Sequence, residues 1–125
     1  MDKTYTKGKI VKKIIDSYDF GKIVVDGKTY NSDLILFEDR ISSNWWRKSG
    51  HRLIPEDIKE ILEDKPEILI VGTGAFGYMI VSDETKKVLR ENNIELISQK
   101  TKEACKTYNK LSKEKKVVAA FHLTC

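Results

Sequence analysis

Residues 67–81 read Glu67-Ile68-Leu69-Ile70-Val71-Gly72-Thr73-Gly74-Ala75-Phe76-Gly77-Tyr78-Met79-Ile80-Val81. The segment 67–71 is nearly all apolar, the pattern of a strand covered on both faces. It runs into Gly72–Gly77, a glycine-rich turn that matches G-x-G-x-x-G. Residues 78–81 suit either strand or loop. Asp83 can then cap a helix over 84–92, with Thr85, Val88 and Leu89 on one face. Residues 94–98 (IELIS) supply another strand. Thr101 caps a helix to about residue 112, with Ala104, Tyr108 and Leu111 as its apolar stripe. Residues 117–123 (VVAAFHL) form a last buried strand. This strand–helix–strand–helix–strand order predicts a partly parallel sheet.

Upstream, the character changes. Residues 9–16 (KIVKKIID) are rich in β-formers. Residues 22–26 (KIVVD) and 28–30 (KTY) flank Asp26-Gly27, a two-residue hairpin signal. Residues 33–38 (DLILFE) read as a buried strand, and 39–52 as an irregular loop. Pro55 opens a helix over 55–64, since its missing N–H costs nothing there. Glu56 and Asp57 suit the first turn, and Ile58, Ile61 and Leu62 share a face. The whole chain, 1–125, is expected to form one α/β domain with a mixed sheet and an N-terminal hairpin unit.

The composition excludes several classes. Of 125 residues, 40% are hydrophobic and 34% charged, with no run of eighteen apolar residues, so no membrane insertion is expected. The opening MDKTYTKGKI lacks the apolar core of a secretory signal. The two cysteines, Cys105 and Cys125, form no CxxC, which suits a reducing cytoplasm. His51 stands alone, and Cys105 has no second ligand at metal spacing, so no metal is expected. The net charge is +4. Residues 100–116 hold seven lysines against two glutamates. Lys102, Lys106, Lys110 and Lys113 lie opposite the apolar stripe of their helix. Such a stripe can recruit nucleic acid, but it reads first as a solvated face, so no specific nucleic acid is expected.

Two segments are candidate binding elements. In a dinucleotide site, Gly72, Gly74 and Gly77 would let the backbone approach a pyrophosphate at a helix N-terminus. However, residues 78–81 separate the motif from the next helix. The following strand also ends in Ser98-Gln99-Lys100, without the acid that binds a ribose. The loop is left as a tight turn, with a small anion or nucleotide fragment as the alternative. The second segment is Trp45-Trp46-Arg47-Lys48 with Gly50-His51-Arg52, aromatic and cationic groups of the kind enriched at interface hot spots. Its bland reading is one tryptophan in the core, ringed by solvated charge. There is no G-x-S-x-G, and no base or carboxylate pair can be assembled, so no catalytic residue and no cofactor are assigned.

Several short stretches combine in order along the chain. They are Phe20-Gly21-Lys22-Ile23, Trp46-Arg47, Gly50-His51, Gly72-Thr73-Gly74, Thr101 with Ala104, Thr107-Tyr108-Asn109-x-Leu111, and the ending Val118-Ala119-Ala120-Phe121-His122-Leu123-Thr124. This series resembles the Mth938-like family, long labelled a domain of unknown function. The resemblance implies a three-layer α/β fold around a mixed sheet. It also implies kinship with archaeal and bacterial members, and with a mitochondrial relative that assists respiratory complex I assembly. It supplies no catalytic residues.

These readings give one expectation and one alternative. The chain is expected to be a non-catalytic binding or assembly-assisting protein with a protein partner or a second copy of itself. The alternative is a small-ligand protein or unrecognised redox enzyme using Gly72–Gly77. The candidate site residues are Trp45, Trp46, Arg47, His51, Gly72, Thr73, Gly74, Phe76 and Gly77. Arg47 and His51 are expected to border a cleft with Thr73 and Phe76 opposite. If Arg47 is exposed, its removal should leave stability within about 0.5 kcal/mol.

Overall fold

The computed structural model describes residues 12–125. Strands β1 (Ile15–Asp19), β2 (Lys22–Val25) and β3 (Lys28–Tyr30) form an antiparallel meander. Asp26 and Gly27 both take positive φ, as a two-residue hairpin turn requires. The strand expected over 9–16 is seen only from Ile15. Its residues 9–11 lie outside the described residues, as does the lysine-rich opening of the chain.

Strand β4 (Leu34–Leu36) is fully buried and is followed by β5 (Ile41–Ser43). The two-residue β6 (Arg52–Leu53) comes next, then a 3-10 turn at Pro55–Ile58 and helix α1 (Lys59–Asp64). Lys65 ends α1 in the left-handed conformation, directly before Pro66. After these come β7 (Ile68–Thr73), β8 (Ile80–Val81), α2 (Asp83–Glu91), β9 (Glu95–Gln99), α3 (Thr101–Leu111) and β10 (Val117–His122). The central sheet has the order β5-β4-β10-β7-β9. Strand β10 pairs antiparallel with β4 and parallel with β7, and β7 pairs parallel with β9. The sheet is therefore mixed, as the motif order predicts.

Alternation along the central strands makes three layers. Leu34, Leu36, Ile68, Ile70, Val117, Ala119 and Phe121 pack toward the N-terminal meander and α3, meeting Ile23, Ala104 and Tyr108. Ile35, Leu69, Val71, Val118 and Ala120 pack the other way, toward Ile58, Ile61, Met79 and Leu89. Because β4, β7 and β10 are covered on both faces, all their positions are buried.

Local detail departs from expectation at several places, and the helix expected over 55–64 opens as a 3-10 turn and is α-helical only from Lys59. The loop expected at 39–52 contributes β5 and the start of β6, strands too short to show a period of two. Ser82, rather than Asp83, caps α2: its Oγ accepts the Thr85 amide at 3.1 Å. Thr101 is the first residue of α3, not its cap, because its hydroxyl is committed to other elements.

Candidate functional site

The glycine segment is explained first by packing. Gly72 and Thr73 belong to β7, so the turn proper begins at Gly74. A β-carbon on Gly72 would lie 2.7 Å from Phe121 Cδ1 and 2.9 Å from Thr101 Oγ1. On Gly74 it would lie 2.3 Å from the carbonyl carbon of Cys125. Both glycines thus admit other parts of the chain. The helix that abuts the turn is α3, and its Thr101 N–H donates to Gly74 O at 3.1 Å. Thr101 Oγ1 accepts the Gly74 amide at 2.8 Å and donates to His122 O at 2.6 Å. The Gly74, Ala75 and Gly77 amides, which a pyrophosphate would need here, already have partners within the chain. The terminal segment threads the same turn: Ala75 N–H donates to Thr124 O, and Tyr78 N–H to Cys125 O.

The tryptophan segment divides between two places. Trp45 packs on the core, and its Nε1–H donates to Asp57 O at 3.2 Å. Trp46 is 77% exposed and lines a groove of about 410 Å³ with Trp45, Glu56, Asp57, Glu60 and Glu63. Asp57 organises the bend, accepting the Lys48 amide at Oδ1 and the Ile54 amide at Oδ2.

Arg47 was expected at a cleft edge, yet its side chain is only 5% exposed. Its Nη1 donates to Asp33 Oδ2 at 2.8 Å, and its guanidinium lies 4.7 Å above the Trp45 ring. His122 Nδ1 is 2.8 Å from the same Asp33 oxygen, and the Leu123 amide donates to Asp33 Oδ1 at 2.8 Å. The cause of this cluster is topological. Asp33 precedes β4, His122 ends β10, and these strands are neighbours in the sheet. Burial alone would raise the Asp33 pKa. The bonds from His122, the Leu123 amide and Arg47 outweigh it and hold the carboxyl below its ordinary value. Two buried nitrogens of the cluster, Arg47 Nε and His122 Nε2, have no hydrogen-bond partner among the described residues.

From His122 a row of rings runs outward. His122 and His51 are 6.3 Å apart by centroid, His51 and Tyr78 6.1 Å, Tyr78 and Phe76 5.8 Å, and Phe76 and Phe20 6.0 Å. Phe20, Phe76, Tyr78 and the adjacent Ile80 are each more than half exposed. The β6–β8 junction places His51 here, because Ile80 N–H donates to His51 O at 2.8 Å. Thr73 pairs with His122 in the sheet and is buried, its hydroxyl donating to Gln99 O at 3.1 Å. His51 and Phe76 thus meet through Tyr78, while Thr73 and Arg47 lie inside. Gly77 takes positive φ beside Lys100. Among the described residues no cluster of three or more His, Cys, Asp or Glu could hold a metal ion. No helix there is long and apolar enough to cross a membrane.

Asp33, His122, Phe20 and Tyr78 were not among the candidate site residues read from the sequence. The available signal was His122 itself. An ionisable group inside VVAAFHL must find a buried partner, and an acid at the mouth of a neighbouring strand is the natural one.

This three-layer arrangement is shared with proteins of known structure, which places the chain in the class of Mth938-like α/β domains. The chain belongs to the family described as "Protein of unknown function (DUF498/DUF598)", whose model matches residues 15–122. It is 30% identical to the conserved hypothetical protein PH1505 from Pyrococcus horikoshii, covering 89% of this chain and 98% of that one, with a TM-score of 0.77. It is 27% identical to the protein titled MT938, over 90% and 99% of the two chains, with a TM-score of 0.75. A Mth938-like domain protein from Bordetella pertussis has the same fold at 18% identity, over 98% and 91% of the chains, with a TM-score of 0.64.

Proposed function

We propose that this chain is a non-catalytic binding module of the assembly-assisting kind, acting in the cytoplasm on a protein partner or a second copy of itself. The observation that carries this is the row Phe20–Phe76–Tyr78 with Ile80. These large side chains are contiguous and more than half exposed, where soluble domains seldom leave apolar surface without a use. The row lies where β7 and β10 end, the sheet edge at which α/β folds commonly bind. Of the segments singled out in the sequence, His51, Phe76 and Gly77 contribute to this face. Gly74 supports it by admitting the terminal segment, and Gly72 by admitting Phe121 and Thr101. The lysine stripe of α3 is exposed, which favours a solvated face over specific nucleic acid binding.

The test is a photo-reactive residue placed at Phe76 or Ile80 in the native cell, with the same residue at Lys110, far along α3, as the control. A defined adduct from the first two positions, absent from Lys110 and lost on Phe20→Ser, is expected. Its mass separates a partner from a second copy. Equal labelling from all three positions, or no adduct, would sink the reading.

A further inference from the structure

The buried end of the ring row carries a hydrogen-bonding demand that the chain does not meet. His122 Nδ1 sits 2.8 Å from Asp33 Oδ2, an oxygen that also accepts a hydrogen bond from Arg47 Nη1. A carboxylate oxygen cannot face a bare nitrogen at that distance without repulsion, so in neutral His122 the proton is on Nδ1. Arg47 Nη2, 3.1 Å from Nδ1, then directs its hydrogen to Gly50 O. That tautomer leaves Nε2 with a bare lone pair. The side chain is only 9% exposed, and among the described residues Nε2 has no hydrogen-bond partner. A buried acceptor without a donor is costly, and native structures rarely keep one without a purpose. Asp33 and Arg47 cancel each other's charge, so the cluster suits an uncharged donor.

We propose that His122 Nε2 accepts the hydroxyl of a phenolic ring, a tyrosine side chain presented by the protein partner, whose ring lies along the row. This rests on the reading of that row as the binding face. A phenol fits for two reasons. Its flat apolar body matches rings spaced about 6 Å apart, where edge and tilted aromatic contacts are favourable. Its hydroxyl is at the tip of the ring and can reach a recessed atom, whereas an indole N–H is on the flank. His51, exposed and edge-on to His122, is the ring that turns aside to admit it. Asp33 acts as a positioning residue that fixes the tautomer.

The test uses the unmodified protein labelled with 15N-histidine, titrated with p-cresol as the tyrosine side-chain probe and with toluene as the same shape lacking the hydroxyl. The free protein should show His122 protonated on Nδ1 and bare on Nε2. p-Cresol should move the Nε2 resonance saturably and bind about tenfold tighter than toluene. In His122→Phe, p-cresol should fall to the toluene level, while Phe76→Ala weakens both probes alike. The proposal is overturned if Nε2 is protonated or already hydrogen-bonded in the free protein. It is also overturned if the two probes bind equally, or if neither disturbs His122. Should p-cresol fail while the Phe76 cross-link persists, only this assignment falls and the binding face stands.

Discussion

Gly74 and Cys125 meet backbone to backbone, and the space between them is smaller than a methyl group. A β-carbon on Gly74 would stand 2.3 Å from the Cys125 carbonyl carbon and 2.9 Å from His122 Cδ2. Gly74 also has a φ of +107°, a conformation that L side chains rarely adopt. Gly74→Ala is therefore expected to cost about 3 kcal/mol or more, from strain and overpacking together. Gly27 is the internal comparison, with positive φ and nothing within 4 Å of its added β-carbon. Gly27→Ala should cost about 1 kcal/mol, strain alone. Urea denaturation of both variants measures the difference. A Gly74 variant accordingly reports on folding before it reports on any ligand.

Removing Arg47 leaves Asp33 and His122 buried with one partner fewer. Arg47→Ala should lower stability by about 3 kcal/mol, well beyond the value expected for an exposed residue. A change within about 0.5 kcal/mol, read from chemical denaturation, would show that the ion pair is dispensable.

Asp33 gives an acid dependence with a definite sign. Its folded-state pKa is held below the ordinary value of 3.8. The stability it contributes is therefore present above about pH 4 and is lost as pH falls through the lower folded value. Urea midpoints taken between about pH 5 and pH 2 should drop more steeply for the native chain than for Asp33→Asn. Parallel curves would mean that the carboxylate contributes nothing specific.

The two thiols should behave differently. Burial of this face of α3 against the N-terminal meander pushes the Cys105 thiol up to about 12, while Cys125 is only half buried. At about pH 8 a disulfide reagent should label Cys125 rapidly, and Cys105 only at the rate of global opening. Because the folded pKa of Cys105 is raised, its contribution to stability is complete below the unfolded value near 9 and declines as pH climbs toward 12. Two equally fast thiols would contradict the packing of α3 on the meander.

Trp45 and Trp46 separate core from surface in adjacent positions. Trp45→Ala should cost about 3 kcal/mol, since it removes core packing and a stacked partner of Arg47. Trp46→Ala should stay within about 0.5 kcal/mol. Thermal denaturation gives both values. Acrylamide should quench Trp46 strongly and Trp45 weakly.

What could be read in advance was set by periodicity and punctuation. The Asp26-Gly27 hairpin, the buried strands expected over 67–71 and 117–123, and the stripe Ala104–Tyr108–Leu111 follow from local rules. The loop around Trp45 did not, because β5 and β6 are three and two residues long, and β6 exists only through pairing with the distant β8. The reasons against a dinucleotide loop were legible, whereas the true occupant of the glycines was not. Cys125 and Phe121 reach Gly74 and Gly72 only through the fold. Arg47 was misjudged for the same kind of reason. Its partner Asp33 is fourteen residues away, and its neighbour His122 seventy-five, so nothing local marks it as buried.

Strand β10 is the last of the described strands to be synthesised and the middle one of the five-stranded sheet. A growing chain on the ribosome must therefore hold β4 with β5, and β7 with β9, as two separate pairs, each with an open inner edge. The sheet can close only when Val117–His122 has emerged, so local order cannot be converted into a core as synthesis proceeds. A translation stall or truncation before residue 117 would leave both halves adhesive. In the cell, the vulnerable form of this domain is the one in which every described strand but β10 has emerged.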